Sequence, residues 1–390
     1  KDLENIMAVT MDDVKMVYEK YIKGKNFLQT SFVPKGETNL IAEGAVNAGI
    51  VEENLSNAAE VKIAATTEEP IVKTPAKFDR SVMPAVGPDP EVSIPQPWMG
   101  SLSNGMKLMG IQQSELPLVQ YSISINGGRL YDSIEKAGLG NLTASMLNEG
   151  TKSKTPEELE LAIGLLGASI YVSAGNEEIT INVSSLSKNF EKTLALVEEM
   201  LLEPRWDSVQ FVLAKSRIIN NLKRNAANPE YLASRNLNKL IFGDNILAMD
   251  ATGTQETVSA LTLDDLRDYY NKYFSPSIAT FLIAGDVDQP RVEAALADLN
   301  QKWLSKEVVV PVFTVPAAPE KSQIYFVDVP GAKQSVINIG GPSIPRTDPD
   351  FYAATVANYK LGGSFNGIFN LILREEKGFT YGARSFFSGG

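Results

Sequence analysis

From Trp98 onward the apolar residues fall into short periodic runs. Positions 106–111 and 118–126 read as short strands, and Asn104-Gly105 is expected to mark the tight turn between them. Residues 137–149 carry the helical period instead. Thr155-Pro156-Glu157-Glu158 is a helix start: a capping hydroxyl, a proline in the first turn and a glutamate that bonds back to the cap. Leu159, Ala162, Leu165 and Leu166 supply that helix with its expected buried stripe. Segments 170–173 and 179–183 alternate as strands across Gly175-Asn176, and helices are expected at 189–202, 207–226 and 229–241. The apolar run 280–284 reads as a buried strand. A new set follows, with strands at 322–328 and 334–340 and helices at 348–361 and 365–376. Hairpins rather than strict strand–helix alternation indicate an α+β fold: an antiparallel-rich mixed sheet with helices packed on one face.

One pattern occurs twice. The runs from Thr10 to Tyr21 and from Thr262 to Tyr273 share Thr, Asp-Asp, an aliphatic, Tyr, Lys and Tyr in the same register. Each reads as a helix capped by its Thr and by the Asp three places on. In the first copy Val14, Val17, Tyr18 and Tyr21 form one stripe. Each copy then runs toward a strand, 27–33 in the first and 279–284 in the second. A repeat so widely spaced indicates duplicated domains rather than a solenoid. Residues 1–36 are therefore expected to be the tail of an upstream domain. Residues 37–97 hold seven prolines, one aromatic (Phe78), and 10 acidic against 4 basic residues, which reads as an acidic connector with a helix near 52–63. Residues 98–310 form the next expected domain. Residues 311–390 begin another, whose sheet edge needs a partner.

Composition narrows the chemistry. Among 390 residues, 44% are hydrophobic and 21% charged, enough to bury a sizeable core. A net charge of −11 argues against a nucleic-acid partner, which needs basic surface. No apolar run reaches the roughly 18–20 residues that span a bilayer, so no membrane span is expected. The chain has no His and no Cys. That excludes disulfides, thiolate metal sites and a serine or cysteine hydrolase with a histidine base. Lys1 and the closing Gly389-Gly390 look like processing boundaries, so an export signal would not be visible.

The stretch Gly138-Leu139-Gly140-Asn141-Leu142-Thr143-Ala144-Ser145-Met146-Leu147-Asn148-Glu149-Gly150-Thr151 resembles the active-site helix of the pitrilysin/insulinase family of zinc peptidases. That family places His-x-x-Glu-His where this chain has Asn141, Leu142, Thr143, Ala144 and Ser145. In the family the two histidines, one turn apart, hold zinc, and the Glu takes the proton of the zinc-bound water. The third ligand is a Glu on a later helix. The ending Asn228-Pro229-Glu230 is similar to that helix, but Asn220 and Asn221 stand where the family has a Glu pair. Neutral Asn, Ala and Ser offer zinc no anionic or imidazole donor. The resemblance therefore implies degenerate positions at Asn141, Ala144, Ser145, Asn220 and Asn221, with no catalytic residue and no metal in this chain.

A second block reads Leu361-Gly362-Gly363-Ser364-Phe365-Asn366-Gly367-Ile368-Phe369-Asn370-Leu371-Ile372-Leu373-Arg374-Glu375-Glu376-Lys377-Gly378-Phe379-Thr380-Tyr381. It is similar to the block by which the family's non-catalytic half reaches toward substrate with an Arg and a Tyr. Arg374 and Tyr381 match those two positions. Gly367 departs from the pattern, which has a larger residue there. Arg supplies a fork of donors for a carbonyl or carboxylate, and a Tyr hydroxyl can donate to a developing oxyanion. The plainer alternative is that Arg374 pairs with a neighbouring acid and Tyr381 packs as an ordinary aromatic.

The resemblance implies the non-catalytic half of a zinc metalloendopeptidase. Its partners would be the active half of the same polypeptide, which carries the zinc, and a peptide substrate. Family habit points to the cell envelope. This chain is expected to be inactive on its own. The alternative is a non-enzymatic structural or peptide-binding subunit, as in relatives that became core subunits of a respiratory cytochrome complex.

Overall fold

The structure is a computed structural model that describes residues 2–31, 33–34, 36–46, 49, 79, 82–83, 85, 87–88, 93, 95–311 and 316–389. The chain divides into two units, Lys1–Asp89 and Pro90–Gly390.

The first unit contains α1 (Asp2–Met7) and α2 (Met11–Tyr21). Thr10 caps α2 as its sequence requires: its side chain accepts from the Asp13 amide, and Asp13 bonds back to the Thr10 amide at 2.9 Å. The expected buried stripe is not buried, because Val14, Val17, Tyr18 and Tyr21 are all exposed. The expected strand at 27–33 is also absent. Its described residues have no ladder partner, and a lone exposed segment exchanges its backbone hydrogen bonds with water rather than forming a strand. The helix expected at 52–63 lies outside the described residues.

In the second unit the strands are β1 (Trp98–Ser101), β2 (Lys107–Gln112), β3 (Leu118–Asn126), β4 (Ser169–Ala174), β5 (Glu178–Leu186) and β6 (Ala279–Gly285). They form one sheet in the order β1-β2-β6-β3-β5-β4. Every neighbouring pair is antiparallel except β2 with β6. The Asn104-Gly105 turn does not lie between β2 and β3 as expected but joins β2 to β1, a strand the sequence did not announce, because it precedes both expected strands in the chain. The second copy of the repeat puts its strand, β6, in the middle of the sheet.

The helices are α3 (Leu139–Met146), α4 (Pro156–Leu165), α5 (Phe190–Leu202), α6 (Ser208–Asn225), α7 (Pro229–Phe242), α8 (Gln255–Ala260), α9 (Leu263–Tyr273), α10 (Gln289–Ala295), α11 (Ala297–Lys302) and α12 (Phe351–Asn358). Local signals placed most of them. Thr155 and Thr262 each complete a reciprocal cap, at the starts of α4 and α9. The stripe of α4 is shifted from expectation. Leu159 and Ile163 are buried, whereas Leu165 is 78% exposed, because the helix turns its Leu159–Ile163 edge to the core.

One face of the sheet makes the core. Val119, Tyr121, Ile123 and Ile125 of β3 alternate inward and meet Ile179, Ile181 and Val183 of β5 and Phe281 and Ile283 of β6. Leu142 and Met146 of α3, Leu194 and Val197 of α5, and Leu266 and Tyr269 of α9 cover them. Each such side chain contributes about 1.5–3 kcal/mol on burial. A one-residue slip of β3 would turn all four of its inward residues to the other face, so the alternation fixes the register. The opposite face presents Gln120, Asn182 and Ser184 to solvent and holds an open groove of about 590 Å³ that also touches Met109, Tyr171 and Leu282.

After α11 the regular structure thins. The segments 322–328 and 334–340, expected as strands, are exposed and have no ladder partners. Beyond α12 the backbone widens into π-helical turns at Tyr359–Gly363 and Asn370–Glu376, where α-helix was expected. Gly362, Gly363 and Gly367 lie between or within these turns, and glycine is a poor helix former.

Candidate functional site

Helix α3 begins abruptly. Gly138 has φ +95°, and a Cβ there would lie 2.6 Å from the Thr252 carbonyl oxygen, so only glycine enters the helix by this route. The N-cap carries no side chain to satisfy the first amides. Asp132 does this from outside, accepting from Gly138 N–H at 2.9 Å and Gly140 N–H at 2.8 Å. Burial pushes the Asp132 carboxyl up to about 7, against the pull of the Gly140, Gly138 and Leu139 amides and the Arg129 charge. Arg129 donates to the Met249 carbonyl at 2.6 Å, and burial lowers its guanidinium from the usual range. Tyr269 closes the pocket by donating to the Gly128 carbonyl at 3.0 Å.

Asn141 and Ser145 sit one turn apart on α3, both half-buried, and the Ser145 hydroxyl donates to the Asn141 carbonyl at 2.9 Å. Ala144 is 1% exposed and belongs to the core. Asn220 and Asn221 lie near the end of α6 and are exposed. The Asn221 side-chain oxygen accepts from Arg224 at 3.2 Å. The two helices pack against each other. Just past α3, Glu149 receives Arg217 of α6 at 2.5 Å, and Glu149, Arg217 and Asn220 border one shallow cavity. The structure thus brings the two helices together.

Zinc does not fit the side chains present. Catalytic zinc takes three ligands from His, Cys, Asp or Glu. Asn141, Ser145 and Asn221 are neutral amides and a hydroxyl. Among the described residues, no group of three or more His, Cys, Asp or Glu side chains is arranged to hold a metal ion.

Arg374 lies in the second π-helical turn. Its Nη1 donates to Glu375 at 2.8 Å, and its guanidinium stands 4.8 Å from the centre of the Phe365 ring. Tyr381 does not pack as an ordinary strand aromatic: it lies outside any strand and is 86% exposed.

Three polar residues that the sequence did not single out turn out to organise these regions: Asp132 before α3, Asn148 after it, and Asn370 before Arg374. An acidic residue shortly before a helix with no capping side chain was the available signal for Asp132. Among the described residues, no helix is long and apolar enough to cross a membrane.

Comparison with known proteins accounts for the arrangement. Residues 110–255 match the model of the insulinase family, peptidase family M16, and residues 260–390 match that of the M16 inactive domain. The chain is 24% identical to the non-peptidase homolog YmxG of Helicobacter pylori over 75% of its own length and 70% of the relative's. It is 21% identical to an uncharacterized zinc protease YmxG of Bacillus subtilis, over 73% and 68% respectively. Among solved structures, an M16 inactive domain from Pseudomonas fluorescens superposes with a TM-score of 0.66 at 25% identity, over 75% of this chain and 71% of that one. Two adjoining models of one family thus span most of the second unit, and the chain belongs to the insulinase (M16) peptidase family, with its C-terminal part matching that family's inactive domain.

Proposed function

We propose that this chain is the non-catalytic half of a zinc metalloendopeptidase of the cell envelope. It forms part of the wall of a closed chamber and holds an extended peptide through Arg374 and Tyr381. A companion active half supplies the zinc and the general base. The observation that carries this reading is the exposure of Tyr381, seven residues after Arg374, in a chain whose residues at the matching ligand positions are neutral. An exposed Arg–Glu pair contributes only about 0–1 kcal/mol, so a peptide carbonyl or carboxylate displaces Glu375 from Arg374 at little cost. The Tyr381 hydroxyl donates to a second peptide oxygen. The open groove on the helix-free face of the sheet lends itself to a chamber wall.

The test uses a fluorescein-labelled extended peptide of about ten residues. The purified chain binds it and does not cleave it, with or without added zinc. Arg374→Ala and Tyr381→Phe each weaken binding about ten-fold while leaving the unfolding midpoint unchanged. Unaltered affinity in both variants refutes the assignment, and chelator-sensitive cleavage by the parent chain refutes the non-catalytic role.

A second reading has its own support. One relative is named a non-peptidase homolog. In that reading the chain is a structural or peptide-binding subunit without an active partner, and the same peptide binds with no companion half that turns it over.

A further inference from the structure

Arg374 and Tyr381 are seven residues apart, and two asparagine latches bond the segments on either side of them. Asn370 is 2% exposed and lies one turn before Arg374. Its Nδ2 donates to the Phe365 carbonyl at 2.9 Å, and its Oδ1 accepts from the Ala383 amide at 2.7 Å. Phe365 carries the ring beneath the Arg374 guanidinium, and Ala383 lies two residues beyond Tyr381. One buried carboxamide therefore ties together the floor under Arg374, the turn that bears it and the segment that bears Tyr381.

The second latch closes on Ser385. Its N–H donates to the Gly362 carbonyl at 3.0 Å. Its hydroxyl donates to Asn358 Oδ1 at 2.6 Å, and its carbonyl accepts from Asn358 Nδ2 at 2.7 Å. All three polar groups of Ser385 are thus satisfied by residues 358–362. Gly362 permits this approach, since a Cβ there would sit 2.4 Å from the Ser385 hydroxyl. The loop between the latches is closed from the other side as well. The Gly378 amide donates to the Arg374 carbonyl at 3.1 Å, and the Phe379 amide donates to the Leu373 carbonyl at 2.8 Å. The backbone around Tyr381 is therefore bonded on both flanks, while its ring stands in open solvent.

Asn is a poor residue for a helix interior, and a buried carboxamide costs free energy unless both its ends are paired. An apolar residue of similar size would leave the Phe365 carbonyl and the Ala383 amide without these partners. Two paired asparagines do something an apolar residue does not: they set a distance and a direction between two backbone segments.

We propose that Asn370 and Asn358 are positioning residues that fix the spacing between Arg374 and Tyr381 for two oxygens of one extended peptide. This rests on the reading that Arg374 and Tyr381 contact the peptide. The asparagines act through Arg374 and Tyr381 and do not touch the peptide.

The experiment is a double-mutant cycle in the full chain with the same labelled peptide. Asn370→Ala lowers affinity about ten-fold, and adding Tyr381→Phe to it then costs less than about two-fold, because a mispositioned hydroxyl has little left to lose. Asn370→Asp, which keeps the acceptor for Ala383, recovers part of the affinity. Hydrogen exchange at the Ala383 and Ser385 amides speeds up in Asn370→Ala and Asn358→Ala. Should Asn370→Ala fail to fold, Ser385→Ala, which removes a single latch bond, takes its place with the same expected loss of coupling. If Tyr381→Phe keeps its full cost in the latch variants, the positioning role is overturned. If Arg374→Ala and Tyr381→Phe leave the parent's affinity unchanged while the exchange rates still rise, the latches are real but the peptide-binding reading has failed, and this proposal falls with it.

Discussion

The carboxamide of Asn148 occupies both backbone groups of Val172: Nδ2 donates to the Val172 carbonyl at 2.9 Å, and Oδ1 accepts from the Val172 amide at 2.9 Å. Val172 lies in β4, an edge of the sheet, and these are groups that an added strand would use. Asn148 follows α3 directly and also donates to the Ala144 carbonyl at 3.2 Å. The end of α3 is thus stitched to the sheet edge, and the edge is closed at its middle.

Asn148→Ala should lower stability by about 1–3 kcal/mol, the cost of leaving part-buried backbone groups unpaired. Asn148→Asp should lower it as well, since a carboxylate oxygen would then face the Val172 carbonyl. Urea unfolding reads this as a lower midpoint with an unchanged slope. A midpoint equal to the parent's in both variants would mean that the contact carries no weight.

How much of this was legible in the sequence depended on distance along the chain. The caps at Thr10, Thr155 and Thr262 were legible because donor and acceptor lie within one turn. The alternation of β3 and β5 announced both strands and their buried faces. The same alternation misled at 322–328 and 334–340, where pattern without a pairing partner does not make a strand. It misled also at Leu165, since the phase of a helical stripe is settled by which neighbours cover it. The frame around Asn141 and Ser145 could be read from residue types, as could the block holding Arg374 and Tyr381. Asn148 with Val172 and Asn370 with Ala383 could not, because an amide carries no mark of the backbone group it will meet.

Gly138→Ala tests the entry to α3. Alanine at φ +95° is strained, and its Cβ would crowd the Thr252 carbonyl at 2.6 Å. The expected loss is about 1–3 kcal/mol. Gly164→Ala is the control, because that helical glycine has nothing within 4 Å of its missing Cβ. It should be neutral or slightly stabilising, as alanine exceeds glycine in helix propensity. Equal effects from the two would show that the strain at Gly138 is relieved by a local shift.

Asp132 should make stability fall as pH rises. Burial lifts its carboxyl to about 7 in the folded protein, whereas an unfolded Asp titrates near about 3.9. Between these values the folded state holds the extra proton, so the slope of stability against pH is negative. The contribution is complete below about pH 4 and is lost as pH rises toward about 7. A carboxamide does not titrate, so the stability gap between the parent and Asp132→Asn should shrink across that window, while shared titrations cancel. A gap that widens toward neutral pH would mean that the three amides outweigh burial at this carboxyl.

The two helices invite reconstruction. Asn141 and Ser145 share one edge of α3, α6 packs beside it, and the Glu149–Arg217 pair at 2.5 Å joins them. Placing donors at these positions should therefore create a metal site that the parent lacks. The parent, which has no His or Cys, should show no cobalt spectrum beyond buffer when titrated. Asn141→His, Ser145→His and Asn221→Glu together should take up about one cobalt ion per chain, with the absorption bands of a low-coordinate site. The double histidine variant alone should bind more weakly, because two imidazoles one turn apart leave the third position to water. If the triple variant takes up no more metal than the double, Asn221 does not face the α3 pair. The correspondence of α6 with a ligand helix would then fail, while the fold and the family membership would stand.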